Sequence, residues 1–260
     1  MPVIQSDGCT LNVVVDGDER APALILSSSL GTDHTMWWPQ VERLAQQFRV
    51  VRYDRRGHGK SSVPPGPYSM EMLGRDVLAI MDGLGIQHAS WCGLSMGGMV
   101  GQWLGAHAPE RFDRLILCNT ASYYADKNAW AERIKAVDTV GMDGLAQAVI
   151  GRWFTPGFIA REPESVAKLQ ALVRATKPAG YVACCEAIRD MDHREILHKI
   201  TAPTLIIAGK HDMATTVENA EFMRDRIPDA KMVVLDAAHI SNVEQAKAFT
   251  DEVLGFFNLI

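Results

Sequence analysis

Gly93-Leu94-Ser95-Met96-Gly97 sets a serine among small residues, where the apolar run Ala89-Ser90-Trp91-Cys92 meets a stretch of helical spacing from Ser95 to His107. A serine on a sharp strand-to-helix turn is exposed as a nucleophile. The helix N-terminus behind it favours the negative charge that develops on an attacked carbonyl oxygen. Gly93, Gly97 and Gly98 meet the steric need of a strand and a helix that pass close together. The chemistry implied is acyl transfer: attack on an ester-like carbon, then hydrolysis of the acyl-enzyme. A serine hydroxyl is a weak nucleophile, so it needs a base and a group that orients the base.

At nucleophile turns of this kind the acid and then the histidine follow the serine in the chain. His198, His211 and His239 lie beyond residue 195. His239 stands in Asp236-Ala237-Ala238-His239, just past the last strand, at the carboxyl edge where ligands bind in open α/β sheets. His198 precedes its strand and belongs to the opposite edge. His211 follows a strand, but its neighbour Asp212 is the better acid. We therefore assign His239 as base and Asp212, in Gly209-Lys210-His211-Asp212, as acid. Asp236 is the rival acid; its place three residues before His239 suits a strand end or a backbone contact better. The loop after Cys118 opens with Asn119-Thr120 and offers no acid. Two backbone amides should receive the oxyanion: that of Met96, after the nucleophile, and that of Leu30 in Ser27-Ser28-Ser29-Leu30-Gly31.

These residues need a frame that brings strand ends together. Leu11–Val15 and Ala23–Leu26 flank the turn residues Asp16-Gly17-Asp18, which predicts an antiparallel hairpin. After a predicted helix at Trp38–Gln47, strand and helix signals alternate. Arg49–Tyr53, Ala89–Cys92, Arg114–Cys118, Thr204–Ala208 and Met232–Leu235 are strands. Met70–Leu84 repeats its apolar residues at helical spacing, and Val217–Arg226 and Val243–Phe257 are further helices. Such alternation implies an α/β fold with a mostly parallel central sheet and helices on both faces. Residues 121–195 break the rhythm: they hold helical stretches, including Lys127–Val137, Met142–Arg152 and Pro163–Ala175, and no convincing strand. The expected organisation is a core of 1–120 and 196–260 with a helical cap, or lid, inserted at 121–195.

Composition narrows the classes. The 260 residues include 26 Lys+Arg against 31 Asp+Glu, a net charge of −5, which disfavours nucleic acid as a partner. No run of 18 apolar residues occurs, so no membrane span is expected. The first residues, Met1–Asp7, lack a basic region and an apolar signal core, and the expected compartment is the cytoplasm. Cys9, Cys92, Cys118, Cys184 and Cys185 are odd in number and have no Cys-x-x-Cys spacing, so buried reduced thiols fit better than disulfides or a zinc site. The adjacent Cys184-Cys185 is the one pair with a redox reading. No metal or organic cofactor is expected. Self-association is left open.

Over essentially its whole length the chain resembles the α/β-hydrolases. The resemblance rests on Asp54-Arg55-Arg56-Gly57-His58-Gly59, on the Ser95 motif, on Gly209-Lys210-His211-Asp212 and on Ala238-His239. The arginines and histidine of the first segment are expected to be scaffold. Ser27-Ser28-Ser29-Leu30-Gly31-Thr32, Gly93–Gln102, Cys118-Asn119-Thr120-Ala121 and Arg152-Trp153-Phe154-Thr155 are similar to the 3-oxoadipate enol-lactonases of bacterial aromatic catabolism, although that family often has Asn where this chain has Ser28. The resemblance implies hydrolysis of 3-oxoadipate enol-lactone to 3-oxoadipate, without the decarboxylase segment to which some relatives are fused. Such a lactone is an internal ester bearing a carboxylate, which calls for a cation. Residues 121–195 offer Lys127, Arg133 and Arg152 beside the aromatics Trp130 and Trp153, with Arg133 one helical turn from Trp130. Other hydrolases of this architecture (an aryl or carboxyl esterase, a carbon–carbon bond hydrolase, a perhydrolase) share the triad. A ligand receptor on the same fold is the alternative outside enzymes.

Overall fold

Asp7 and Gly8 both have positive φ, 46° and 72°, as a two-residue primed hairpin turn requires. In the computed structural model, which describes residues 3–258, they join Val3–Ser6 (β1) to Cys9–Asp16 (β2) as an antiparallel pair. Met1 and Pro2 of the N-terminal stretch read above lie outside the described residues, as do 259–260. The sheet continues with Ala23–Ser27 (β3), Arg49–Tyr53 (β4), Ala89–Leu94 (β5), Phe112–Cys118 (β6), Thr204–Gly209 (β7) and Lys231–Leu235 (β8). Its spatial order is β1-β2-β4-β3-β5-β6-β7-β8. From β4 to β8 every pairing is parallel. β5 and β7 are buried at every residue, which fits their continuous apolar runs.

The hairpin predicted around Asp16-Gly17-Asp18 does not form. β4 lies between β2 and β3, pairing antiparallel with Val13–Asp16 and parallel with Ala23–Leu26. Gly17 explains how the chain turns there: its φ is 89°, and a Cβ on it would fall 2.2 Å from the Phe48 carbonyl oxygen. The turn packs on the backbone leading into β4 and leaves that strand the central place.

The helices are Val41–Leu44 (α1), Met70–Gly83 (α2), Met96–His107 (α3), Lys127–Trp153 (α4), Pro156–Arg161 (α5), Pro163–Ala175 (α6), Pro178–Asp190 (α7), Val217–Arg224 (α8), Ser241–Glu244 (α9) and Ala246–Asn258 (α10). The predicted helix Trp38–Gln47 shrinks to a 3-10 turn, His34–Trp37, and the single turn α1. Pro39 between them has no amide hydrogen for a continuous helix. The predicted final helix is broken at Gln245, whose φ and ψ are −122° and 48°. α4 is interrupted at Gly141 (φ 64°, ψ −177°), between the two stretches predicted there. α5 and α7 lie outside the stretches named from sequence. From Asn119 to Pro203 no strand joins the sheet among the described residues, and an isolated bridge, Tyr123 to Asp192, draws the ends of this segment together. Cys184 and Cys185 sit fully buried on α7. Burial pushes both thiols up to about 12, so neither is a ready thiolate and the redox reading has no support. No helix among the described residues is long and apolar enough to cross a membrane.

Candidate active site

The parallel strands β3, β5, β6, β7 and β8 end at Ser27, Leu94, Cys118, Gly209 and Leu235. Leu30, Ser95, Asn119, Asp212 and His239 follow within a few residues, so the sheet's carboxyl edge collects all of them. Ser95 has φ 57° and ψ −115°, a left-handed conformation strained for a residue with a side chain. Close packing holds it there. A Cβ on Gly97 would lie 2.2 Å from the Ser27 carbonyl oxygen, and one on Gly93 would lie 2.2 Å from that of Gly97. The Ser95 amide donates to the Cys118 carbonyl (2.8 Å), and the Thr120 hydroxyl donates to the Ser95 carbonyl (2.7 Å).

Ser95 Oγ lies 2.9 Å from His239 Nε2, and His239 Nδ1 lies 2.8 Å from Asp212 Oδ2. All three residues are buried. Asp212 Oδ1 accepts from the amides of Ala214 (2.8 Å) and Thr215 (3.0 Å), and Oδ2 also accepts from Thr215 Oγ1 (2.7 Å) and Asn119 Nδ2 (3.0 Å). Burial alone would raise this carboxyl. The His239 charge and hydrogen bond, with those from Thr215, outweigh it and hold it down at about 2. An ionised carboxylate only accepts, so the proton of the neutral imidazole belongs on Nδ1. Nε2 is then free to take the Ser95 proton. Asn119 and Thr215 were not foreseen; their only sequence signal is a polar residue at or near a strand's carboxyl end. Asp236, the rival acid, is exposed, and among the described residues its carboxyl bonds to neither His239 nor a backbone group. Its Oδ1 pairs with His211 Nε2 at 2.8 Å.

The Ser27–Gly31 loop is braced from below. Gly31 N donates to His58 Nε2 (3.0 Å), and the Arg55 guanidinium donates to the Ser28 carbonyl. Arg56 pairs through two 2.6 Å hydrogen bonds with buried Asp76. These residues have the scaffold role expected of them. The amides of Leu30 and Met96 have no acceptor among the described residues. Asp33, His34 and Asp54 form the only three-residue grouping of metal-type ligand atoms among the described residues. Asp54 there accepts from the His34 amide, Asn12 Nδ2 and the Lys60 amide, each at 2.9 Å, so the set braces this loop.

A cavity of about 500 Å³ opens over Ser95 and His239. Leu30, Trp130, Arg133, Arg152 and Trp153 line it, with Tyr124 and Met213, which sequence reasoning missed. Arg133 is held between two rings, 5.2 Å from the Trp130 centroid and 5.6 Å from that of Tyr181, and its Nε donates to the Tyr181 hydroxyl (2.7 Å). Arg152 reaches the cavity from an exposed position, whereas Lys127 is exposed and does not line it. A larger groove, about 940 Å³, runs past Phe158, Lys210 and Asp236 on the far side of Asp212. Ser95 does not border it; the smaller cavity, which Ser95 and His239 line, is the candidate reaction chamber.

His58 and His193 are buried, and burial, with a neighbouring positive charge, pulls them down from 6.5 to about 3 and about 4. Below pH 6.5 the unfolded chain takes up protons that the folded form refuses. Stability therefore falls as the pH drops from 6.5 toward 4 for His193 and toward 3 for His58. At pH 5 each should cost about 2 kcal/mol relative to pH 7. Urea unfolding at the two pH values checks this; equal midpoints would contradict it.

Residues 22–246 match the model of the alpha/beta hydrolase fold family. The chain belongs to that family. Among its relatives, 3-oxoadipate enol-lactonase 2 of Acinetobacter baylyi is 45% identical over 94% of this chain and 91% of its own. 3-Oxoadipate enol-lactonase 1 of the same organism is 40% identical over 99% and 97%. A solved structure, the enol-lactonase from Burkholderia xenovorans LB400, superposes with a TM-score of 0.97 at 44% identity, covering 99% of this chain and 100% of that one. A putative carbamate hydrolase of Stutzerimonas stutzeri is more distant, 31% identical over 90% and 91%.

Proposed function

We propose that the protein hydrolyses 3-oxoadipate enol-lactone to 3-oxoadipate through an acyl-enzyme on Ser95. The observation that carries this reading is the unbroken Ser95–His239–Asp212 hydrogen-bond chain at the floor of a cavity that also holds Arg133 between two aromatic rings. The names of the two Acinetobacter relatives supply the substrate.

Ser95 Oγ attacks the lactone carbonyl while His239 Nε2 takes its proton, and Asp212 stabilises the imidazolium. The oxyanion sits between the Leu30 and Met96 amides. Collapse breaks the ring C–O bond, and His239 returns the proton to the leaving enol oxygen. The enol relaxes to a ketone, which makes ring opening favourable. Water, with His239 again as base, then cleaves the acyl ester. Residues 121–195 act as the cap that closes the chamber. The small-molecule substrate is the partner, and a buried set of free cysteines suits the cytoplasm.

Arg133 binds the substrate carboxylate, with Trp130 and Tyr181 holding its guanidinium flat, and Arg152 and Trp153 complete the rim. Arg133→Met should raise KM for the lactone roughly tenfold to a hundredfold, the worth of one charge-assisted hydrogen bond. A neutral aryl ester should not feel the change. The deciding experiment is ultraviolet-monitored turnover of freshly generated 3-oxoadipate enol-lactone beside neutral aryl esters. Efficient lactone turnover supports the reading. Turnover of aryl esters alone would replace the substrate and keep the nucleophile.

A further inference from the structure

His239 is not held by the sheet core alone. Asn119 anchors its loop from β6: Asn119 Nδ2 donates to the Ala238 carbonyl (3.1 Å), and Ser241 Oγ donates to Asn119 Oδ1. The backbone amides on either side of His239 turn the other way. Ala238 N donates to Glu244 Oε2 at 2.8 Å, and Ile240 N donates to the Trp153 carbonyl at 3.1 Å. Glu244 Oε1 in turn accepts from Thr155 N (3.2 Å) and from the Thr155 hydroxyl. Trp153 and Thr155 form the corner between α4 and α5, inside the helical segment, and Trp153 also lines the substrate cavity. Glu244 is 7% exposed, and among the described residues every hydrogen-bond partner of its carboxyl is a donor. The helix break at Gln245 serves the same arrangement: α9 is one turn long, and Gln245 Nε2 donates back to the Asp236 carbonyl (2.9 Å).

We infer that Glu244 is a positioning residue that ties the α4–α5 corner to the catalytic histidine, so that the seat of the cap sets the reach of His239 toward Ser95. This rests on the Ser95–His239–Asp212 reading above. A carboxyl group suits the place because it offers two acceptor oxygens to three donors on two segments, the amide of Ala238 and the amide and hydroxyl of Thr155. Glutamine keeps the shape but presents its amide NH2 toward one of those donors, so it should serve only in part. Small displacements of a general base are costly, because proton transfer needs hydrogen-bond reach in the transition state.

The test compares full-length Glu244→Ala, Glu244→Gln and Thr155→Val with wild type. The first readout is the rate at which a fluorophosphonate labels Ser95, which does not depend on the natural substrate. The second is kcat and KM on the enol-lactone. The third is the downfield NMR signal of the His239 Nδ1 proton bonded to Asp212. Glu244→Ala should slow labelling and kcat together by roughly tenfold to a hundredfold, with KM little changed, and should shift or broaden the proton signal. Glu244→Gln should recover part of the loss. Thr155→Val should show a smaller loss in the same readouts and should not add fully to Glu244→Ala. Wild-type labelling rates in a folded Glu244 variant would overturn the inference, as would a loss confined to KM or to melting temperature. If Glu244→Ala does not fold, Glu244→Gln and Thr155→Val decide the matter by the same criteria. Wild-type protein that is labelled at Ser95 but leaves the lactone intact would end the substrate assignment without touching this one.

Discussion

Ser95→Ala is expected to lower kcat on the enol-lactone by on the order of a millionfold. The size of the effect follows from what is lost. On the proposed mechanism no other group can form the acyl-enzyme, because His239 Nε2 is directed at this one oxygen. A residual acceleration of roughly a thousandfold over water should survive, since the amides and the cavity would still orient the lactone and polarise its carbonyl. The fold should be unaffected. Among the described residues Ser95 Oγ bonds only to His239, and alanine meets the same backbone strain at φ 57° that serine does. Wild-type thermal unfolding beside the collapsed rate separates the chemical loss from misfolding.

Asp212→Asn should cost about ten-thousandfold in kcat, with smaller effects on KM. The side-chain shape is kept, and the environment still supplies four donors to this position besides His239: the amides of Ala214 and Thr215, the Thr215 hydroxyl and Asn119 Nδ2. An asparagine has one accepting oxygen and one donating nitrogen, so at least one of these donors or His239 Nδ1–H faces another donor. The imidazole then prefers the tautomer with its proton on Nε2, which is useless as a base toward Ser95. The imidazolium formed during attack also loses its counter-charge. An Asp212→Asn enzyme within tenfold of wild type would show that another carboxyl supports His239. Asp236 would not be a ready candidate, because it already pairs with His211 on the surface.

The triad residues were legible because each stands just past a strand with an apolar run. β5 and β7 are continuous buried runs, and the loops that follow them carry Ser95 and Asp212. What stayed hidden depends on partners distant in the chain. Asn119 and Asp212 are 93 residues apart, and nothing near Asn119 indicates that its side chain would brace an acid on the neighbouring loop. Glu244 falls inside a helical pattern that runs on to Phe257, and only the pull of Ala238 and Thr155 on its carboxyl marks the break. The misplaced hairpin has a similar origin. Asp16-Gly17-Asp18 is a sound turn signal, yet β4 enters the sheet between the strands that flank it. The true hairpin turn, Asp7-Gly8, joins a four-residue strand too short to show an apolar pattern. α7 carries Tyr181, Cys184, Cys185 and Ile188 on one buried face, but Gly180 and the paired cysteines weaken its local helix signal. Gly180 is there for contact: a Cβ on it would fall 2.1 Å from the Gly57 carbonyl oxygen of the turn that braces the Ser27–Gly31 loop.

The most direct test of the central claim is a single-turnover assay of freshly generated 3-oxoadipate enol-lactone, with wild type and Ser95→Ala followed side by side in the ultraviolet and quenched in acid for intact-protein mass. The account predicts rapid loss of lactone with wild type, any covalent adduct confined to Ser95 and adding the mass of one lactone without water, and neither adduct nor fast turnover with Ser95→Ala. Undiminished lactone hydrolysis by Ser95→Ala, or an adduct on another residue, would contradict it.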